Sequence, residues 1–84
     1  MDYSFLLGSV ENLLGKSQKK ARENHAFHCP FCNHHKPKLE INFATNEKGE
    51  NPWECWVCNT RGRTIRSLLY QLKTPKDQAR EILK

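Results

Sequence analysis

The chain has 84 residues, with 14 Lys and Arg against 9 Asp and Glu, a formal net charge of +5 and only 37% apolar residues. That is room for one small domain, which buries too little surface to be comfortably stable without a disulfide or metal staple. No apolar run approaches the roughly 20 residues of a membrane span, and the opening Met1-Asp2-Tyr3-Ser4-Phe5-Leu6-Leu7 lacks the basic lead and long apolar core of a secretory signal.

The first predicted element is a helix over residues 3–14. Tyr3, Leu6, Leu7, Val10, Leu13 and Leu14 recur at spacings of three and four, and Gly15 stands where a helix end favours a left-handed residue. Lys16 to Asn24 is polar and basic, a frayed extension of the helix or a linker. Residues 1–24 are therefore expected as an N-terminal helix with a basic linker.

The middle of the chain reads as short strands. Ala26-Phe27-His28 is one candidate. Residues 38–43 alternate, with Leu39, Ile41 and Phe43 on one face. The polar stretch from Thr45 to Asn51 is rich in turn residues, and Trp53-Glu54-Cys55-Trp56 is extended again. Two strands around a polar loop predict an antiparallel hairpin.

The last third is predicted helical. Ile65, Leu68, Leu69 and Leu72 form one face behind Thr64 as cap. A second start follows, with Thr74 as cap, Pro75 at the first helical position and Asp77 in the first turn. Residues 25–73 are expected as the domain proper. Residues 74–84 are expected as a short helix or the start of a linker to a further domain.

Four cysteines carry the chemistry. Cys29-Pro30-Phe31-Cys32 and Cys55-Trp56-Val57-Cys58 are two C-x₂-C pairs separated by 22 residues. Each pair makes a tight knuckle that aims two sulfurs at one point, so two knuckles joined by a hairpin supply four tetrahedral ligands, the geometry of structural zinc. Disulfides would need an oxidising compartment that nothing here indicates. A redox C-x-x-C normally occurs once, in a strand–helix setting, and iron–sulfur clusters use closer, less symmetric spacing. His25, His28, His34 and His35 flank the first pair; any could replace a sulfur, but four paired cysteines need none of them. One structural Zn²⁺ is expected. Its apparent binding free energy, on the order of 10–16 kcal/mol, matches or exceeds the whole stability of a small domain, about 5–15 kcal/mol, so the hairpin should be disordered without metal. A closed four-sulfur site has no open position for catalysis. The expected fold is a small α+β zinc ribbon, an antiparallel hairpin or sheet with two knuckles, flanked by short helices.

Cys29-Pro30-Phe31-Cys32-Asn33, Lys36-Pro37-Lys38 and the Leu39-Ile41-Phe43 strand resemble the first half of the zinc-binding domain of DNA primases. Trp53-Glu54-Cys55-Trp56-Val57-Cys58, then Gly62, Thr64, Ile65 and Leu68-Leu69-Tyr70, resemble its second half. Cysteine at position 32 makes the pattern most similar to bacteriophage primases. Asn59 stands where the family often has Gly. The resemblance covers about residues 27–72 and leaves the first helix unmatched. It implies a module that holds single-stranded template DNA and the RNA primer and helps select the start site. Primer synthesis would belong to a separate catalytic domain, with a replicative helicase as a further partner. It also implies a cytoplasmic setting in a bacterium or phage-infected host. These residues contain no paired carboxylates and no Gly-rich phosphate loop, so the chain carries no catalytic centre of its own and reads as the N-terminal part of a longer primase.

Net charge is +4 over residues 16–36 and +4 over residues 59–73, and is −2 between them. A basic block is commonly just a solvated surface; beside the cysteine pairs it points to an anionic polymer. Single-strand binding needs cations for phosphates and aromatic faces for bases. The candidate cations are Lys36, Lys38, Arg61, Arg63 and Arg66. Trp53 and Trp56 are the candidate aromatics, although both could be core. His34 and His35 are candidate base readers, or solvated turn residues. The alternative is a free-standing zinc ribbon acting in transcription or as an adaptor between proteins.

Overall fold

The computed structural model describes residues 3–83. Met1, Asp2 and Lys84, assigned above to the end segments, lie outside the described residues. Helix α1 spans Ser4–Leu14 and stops at Gly15, whose φ of 93° suits glycine and whose N–H donates to Glu11 O. Five strands follow: β1 Gln18–Lys19, β2 Asn24–Phe27, β3 Leu39–Asn42, β4 Trp53–Cys55 and β5 Arg61–Gly62. They form one antiparallel meander in the order β1-β2-β3-β4-β5. Helices α2 Ile65–Gln71 and α3 Lys76–Ile82 close the chain.

The expected hairpin is β3–β4. The alternation of β3 places Leu39 and Ile41 opposite Cys55 and Trp53, and opposite Phe27 and His25 on the other side. Side chains alternate across a strand, so these six share the inner face. Asn46 holds the connecting loop, its Oδ1 accepting from Lys48 and Glu50 N–H at 2.9 Å each. Thr64 caps α2, its side chain accepting from Ser67 N–H.

Two differences from expectation have local causes. The stretch 16–24 is neither helix extension nor free linker. It turns through a short 3-10 segment, Ala21–Glu23, with Arg22 and Glu23 at positive φ, and β1 pairs with β2. Pairing, not periodicity, makes that strand. Helix α3 starts after Pro75, which occupies the N-cap position without a side-chain hydrogen bond, and Thr74 makes no cap; the Thr74 N–H instead donates back to Leu69 O. The core draws on all parts of the chain. Val10 of α1 and Ile82 of α3 are buried in one cluster with Phe27, Leu39, Ile41, Phe43, Trp53, Ile65, Leu68 and Leu69. Each such side chain contributes about 1.5–3 kcal/mol on burial.

Trp53 locks the second half together. Its indole N–H donates to Thr64 O at 2.9 Å. A Cβ on Gly62 would stand 2.7 Å from the Trp53 ring and 2.6 Å from Ser67 Oγ, so glycine is what lets α2 approach β5 so closely.

Candidate metal centre

The sulfurs of Cys29, Cys32, Cys55 and Cys58 lie within 4.8 Å of one another. Cys29 Sγ is 3.8 Å from Cys58 Sγ, and Cys32 Sγ is 3.7 Å from Cys55 Sγ. Disulfide sulfurs stand about 2.05 Å apart. Four sulfurs bonded tetrahedrally at about 2.3 Å, the zinc–thiolate length, stand about 3.8 Å apart. The close pairs fit a shared metal ion and not a covalent bridge. No histidine belongs to the cluster.

Both knuckles are built alike. Phe31 N–H points at Cys29 Sγ at 3.4 Å, and Val57 N–H at Cys55 Sγ at 3.5 Å. Cys29 and Cys55 are buried while Cys58 stands at the surface. The electrostatics follow. Burial pushes the Cys29 thiol up to about 12, and burial also raises Cys32. Hydrogen bonding with Thr60, whose Oγ1 lies 3.2 Å from the sulfur, brings Cys58 down to about 6.

The sheet sets the surroundings. Its outer face carries Glu40 directly opposite Glu54, and Glu54 opposite Arg61. A groove of about 580 Å³ runs over this face, lined among others by Asn24, Asn42, Glu40, Glu54, Arg61 and Trp56. Trp56 is 61% exposed. Its backbone N–H donates to Lys38 O at 3.0 Å, and by alternation Lys38 falls on the same face as Glu40. Lys36, Arg61, Arg63 and Arg66 are exposed and Lys38 is half-exposed. None of these five cations forms an ion pair with a described residue.

Trp53 requires a correction as a candidate ligand-stacking residue. It is 2% exposed, with its indole N–H already satisfied and Phe31 stacked nearby at 6.3 Å. It has no free ring face. His34 and His35 stack on each other at 4.5 Å, and His34 Nδ1 accepts from Lys36 N–H. They order the turn after the first knuckle. His25 sits apart, buried beneath α1, where its Nδ1 lies 3.2 Å from Ser17 Oγ. Tyr3 hydrogen-bonds to Glu23 beside it. Sequence periodicity singled out neither this polar seam nor Tyr70, which is 82% exposed on α2.

Among the described residues no helix is long and apolar enough to cross a membrane. No family model, curated protein or solved structure matches this chain.

Proposed function

We propose that this chain is the zinc-binding module of a DNA primase and that it holds single-stranded template DNA during start-site selection, in the cytoplasm of a bacterium or of a phage-infected host. The observation that carries the reading is the joining of two features: a cluster of four sulfurs within 4.8 Å, two pairs of which stand at the spacing of tetrahedral zinc–thiolate ligands, and an exposed Trp56 immediately after one of its cysteines, near unpaired cations. The all-sulfur donor set selects zinc over harder ions, and zinc here is structural, since four protein ligands leave no place for water.

In this reading a base stacks on Trp56 while Lys38, Arg61 and Lys36 take phosphates at the rim of the groove. The carboxylates of Glu40 and Glu54 line the groove and repel phosphate, so the strand runs with its bases inward and its backbone at the rim. Polymerisation and Mg²⁺ chemistry belong to a separate catalytic domain, with the primer and a replicative helicase as further partners.

The test is binding of the zinc-loaded chain to short single-stranded DNAs of varied sequence at two salt concentrations, beside a metal-stripped control. Metal-dependent binding that weakens with salt and weakens in Trp56→Ala is expected. Absence of binding at low salt overturns the reading in favour of a free-standing ribbon that docks proteins. The groove of about 860 Å³ lined by Tyr3, Phe5, Leu6, Phe43, Ile65 and Ile82 would then be its contact surface.

A further inference from the structure

Helix α2 presents two unlike sides. Ile65, Leu68 and Leu69 are buried against the sheet. Tyr70 is 82% exposed, more than Phe5, Trp56 or Val57, so it contributes nothing to the core. Arg66 lies one turn before it, at the i,i+4 spacing that places two side chains on one face, and it too is exposed. Arg63 precedes the helix and Lys73 follows it, both exposed. From Asn59 to Thr74 the chain has four cations and no acid, and none of the four is in an ion pair with a described residue. Helix α2 packs beside β5, the strand that carries Arg61.

An exposed aromatic ring costs solubility and is unnecessary for packing here, and the four unneutralised cations of this segment repel one another. An anionic partner with flat apolar faces relieves both. We propose that the outer face of α2, with Arg66 and Tyr70 at its centre and Arg63 and Lys73 at its ends, is a second contact for the same single strand. The strand leaves Trp56, passes Arg61 and Arg63 at the β5 edge, and stacks a second base on Tyr70. This inference rests on the proposed single-strand function and extends it from one stacking site to two. Its consequence is a footprint longer than the sheet face alone provides.

The test uses the whole zinc-loaded chain and two fluorescent oligothymidylates, one short enough to reach Trp56 only and one several times longer. Tyr70→Ser is expected to weaken the longer oligomer about 5- to 150-fold, the usual worth of one stacked base, while leaving the shorter one nearly unchanged. Tyr70→Phe should keep the affinity for both. Arg66→Ala should flatten the salt dependence on the longer oligomer by about 0.7 in the log–log slope. Trp56→Ala should weaken both lengths. Metal content and thermal stability of Tyr70→Ser should match the unmodified chain, because the side chain is exposed. If Tyr70→Ser and Arg66→Ala bind the longer oligomer as the unmodified chain does while Trp56→Ala does not, the α2 site is wrong and the single-strand function stands. If the unmodified chain binds neither length, both are overturned.

Discussion

Asn33 and Asn59 occupy equivalent places in the two halves of the four-cysteine cluster. Each directly follows the second cysteine of its pair. Each donates its N–H to the carbonyl of the first cysteine at 3.0 Å, and each has left-handed backbone, with φ of 55° and 63°. The turn that brings two sulfurs together ends by reversing the chain, and a left-handed residue does that. Asparagine tolerates this conformation far better than a β-branched residue.

Substitution at this pair therefore separates backbone strain from ligand loss. Asn33→Gly and Asn59→Gly should leave metal affinity close to that of the unmodified chain. Asn33→Val and Asn59→Val should each cost about 1–2 kcal/mol, although no sulfur is touched. Competition with a chromophoric chelator reads the affinity. Equal affinities for the Gly and Val variants would show that the left-handed turn does not shape the site.

Metal loading should depend on pH in a defined direction. With the sulfurs gathered but no metal bound, the Cys29 thiol is pushed up to about 12 and Cys32 is raised as well, so both carry protons at neutral pH, as ordinary thiols of pKa about 8.5 also do in the disordered hairpin. Cys58, brought down to about 6, is already a thiolate there. Metal must displace the protons on Cys29 and Cys32, so affinity rises with pH, with a slope of at least about two protons per metal near neutrality. Proton release measured in weakly buffered solution on titration with Zn²⁺ checks this. Release of clearly fewer than two protons would contradict it. Cys55→Ser removes a buried ligand and should abolish tight binding together with ordered structure in the hairpin.

Much of this arrangement is legible in the sequence, for reasons that differ by element. The cysteine pairs are legible because ligand spacing is a local property. Helix α1 and helix α2 are legible because their apolar stripes recur at three and four, with Gly15 and Thr64 as end signals. Strands β3 and β4 are legible because Leu39, Ile41 and Trp53 alternate with polar neighbours. By contrast, β1 and β5 have two residues each and no apolar pattern; they are strands only because β2 and β4 offer open edges. The burial of Trp53 against the exposure of Trp56 is likewise settled by the sheet. The sequence reads both as one extended stretch, but β4 ends at Cys55: Trp53 is paired opposite Ile41 on the inner face, while Trp56 begins the knuckle turn. Asn33 repeats the local signal carried by Asn59, a residue directly after a C-x₂-C pair, and that signal was available at both positions.

His25 makes stability sensitive to mild acid. Its ring packs edge-on against Tyr3 and Phe43. Burial, followed by the charge of Lys19, lowers its pKa, and the opposing pull of Glu11 and Glu23 is smaller. The folded value therefore lies below the unfolded one of about 6.5. Between the two values the unfolded chain binds more protons, so stability falls as pH drops below about 6.5 and is flat in this respect above it. Acid also strips metal from thiolates, which makes a difference measurement necessary. The midpoint of thermal unfolding should fall more steeply with acidification in the unmodified chain than in His25→Gln. Parallel curves would remove His25 from the account.

Glu40 and Glu54 test whether the outer sheet face is kept for stability or for contact. They stand directly opposite each other across β3 and β4, and neither forms an ion pair with a described residue. Like charges in that position cost roughly 0.2–1 kcal/mol. Glu40→Gln removes the repulsion and keeps the shape of the side chain, so it should stabilise the zinc-loaded chain by that amount in denaturant titration. The same change removes a negative charge from the groove beneath the proposed strand. Binding of an oligothymidylate, which carries no exocyclic amino group to donate to a carboxylate, should therefore tighten in Glu40→Gln. Binding of an oligocytidylate, which has that amino group, should gain less or weaken. A stabilised variant with unchanged affinity for both oligomers would place the strand off this face and leave Glu40 as a purely structural cost.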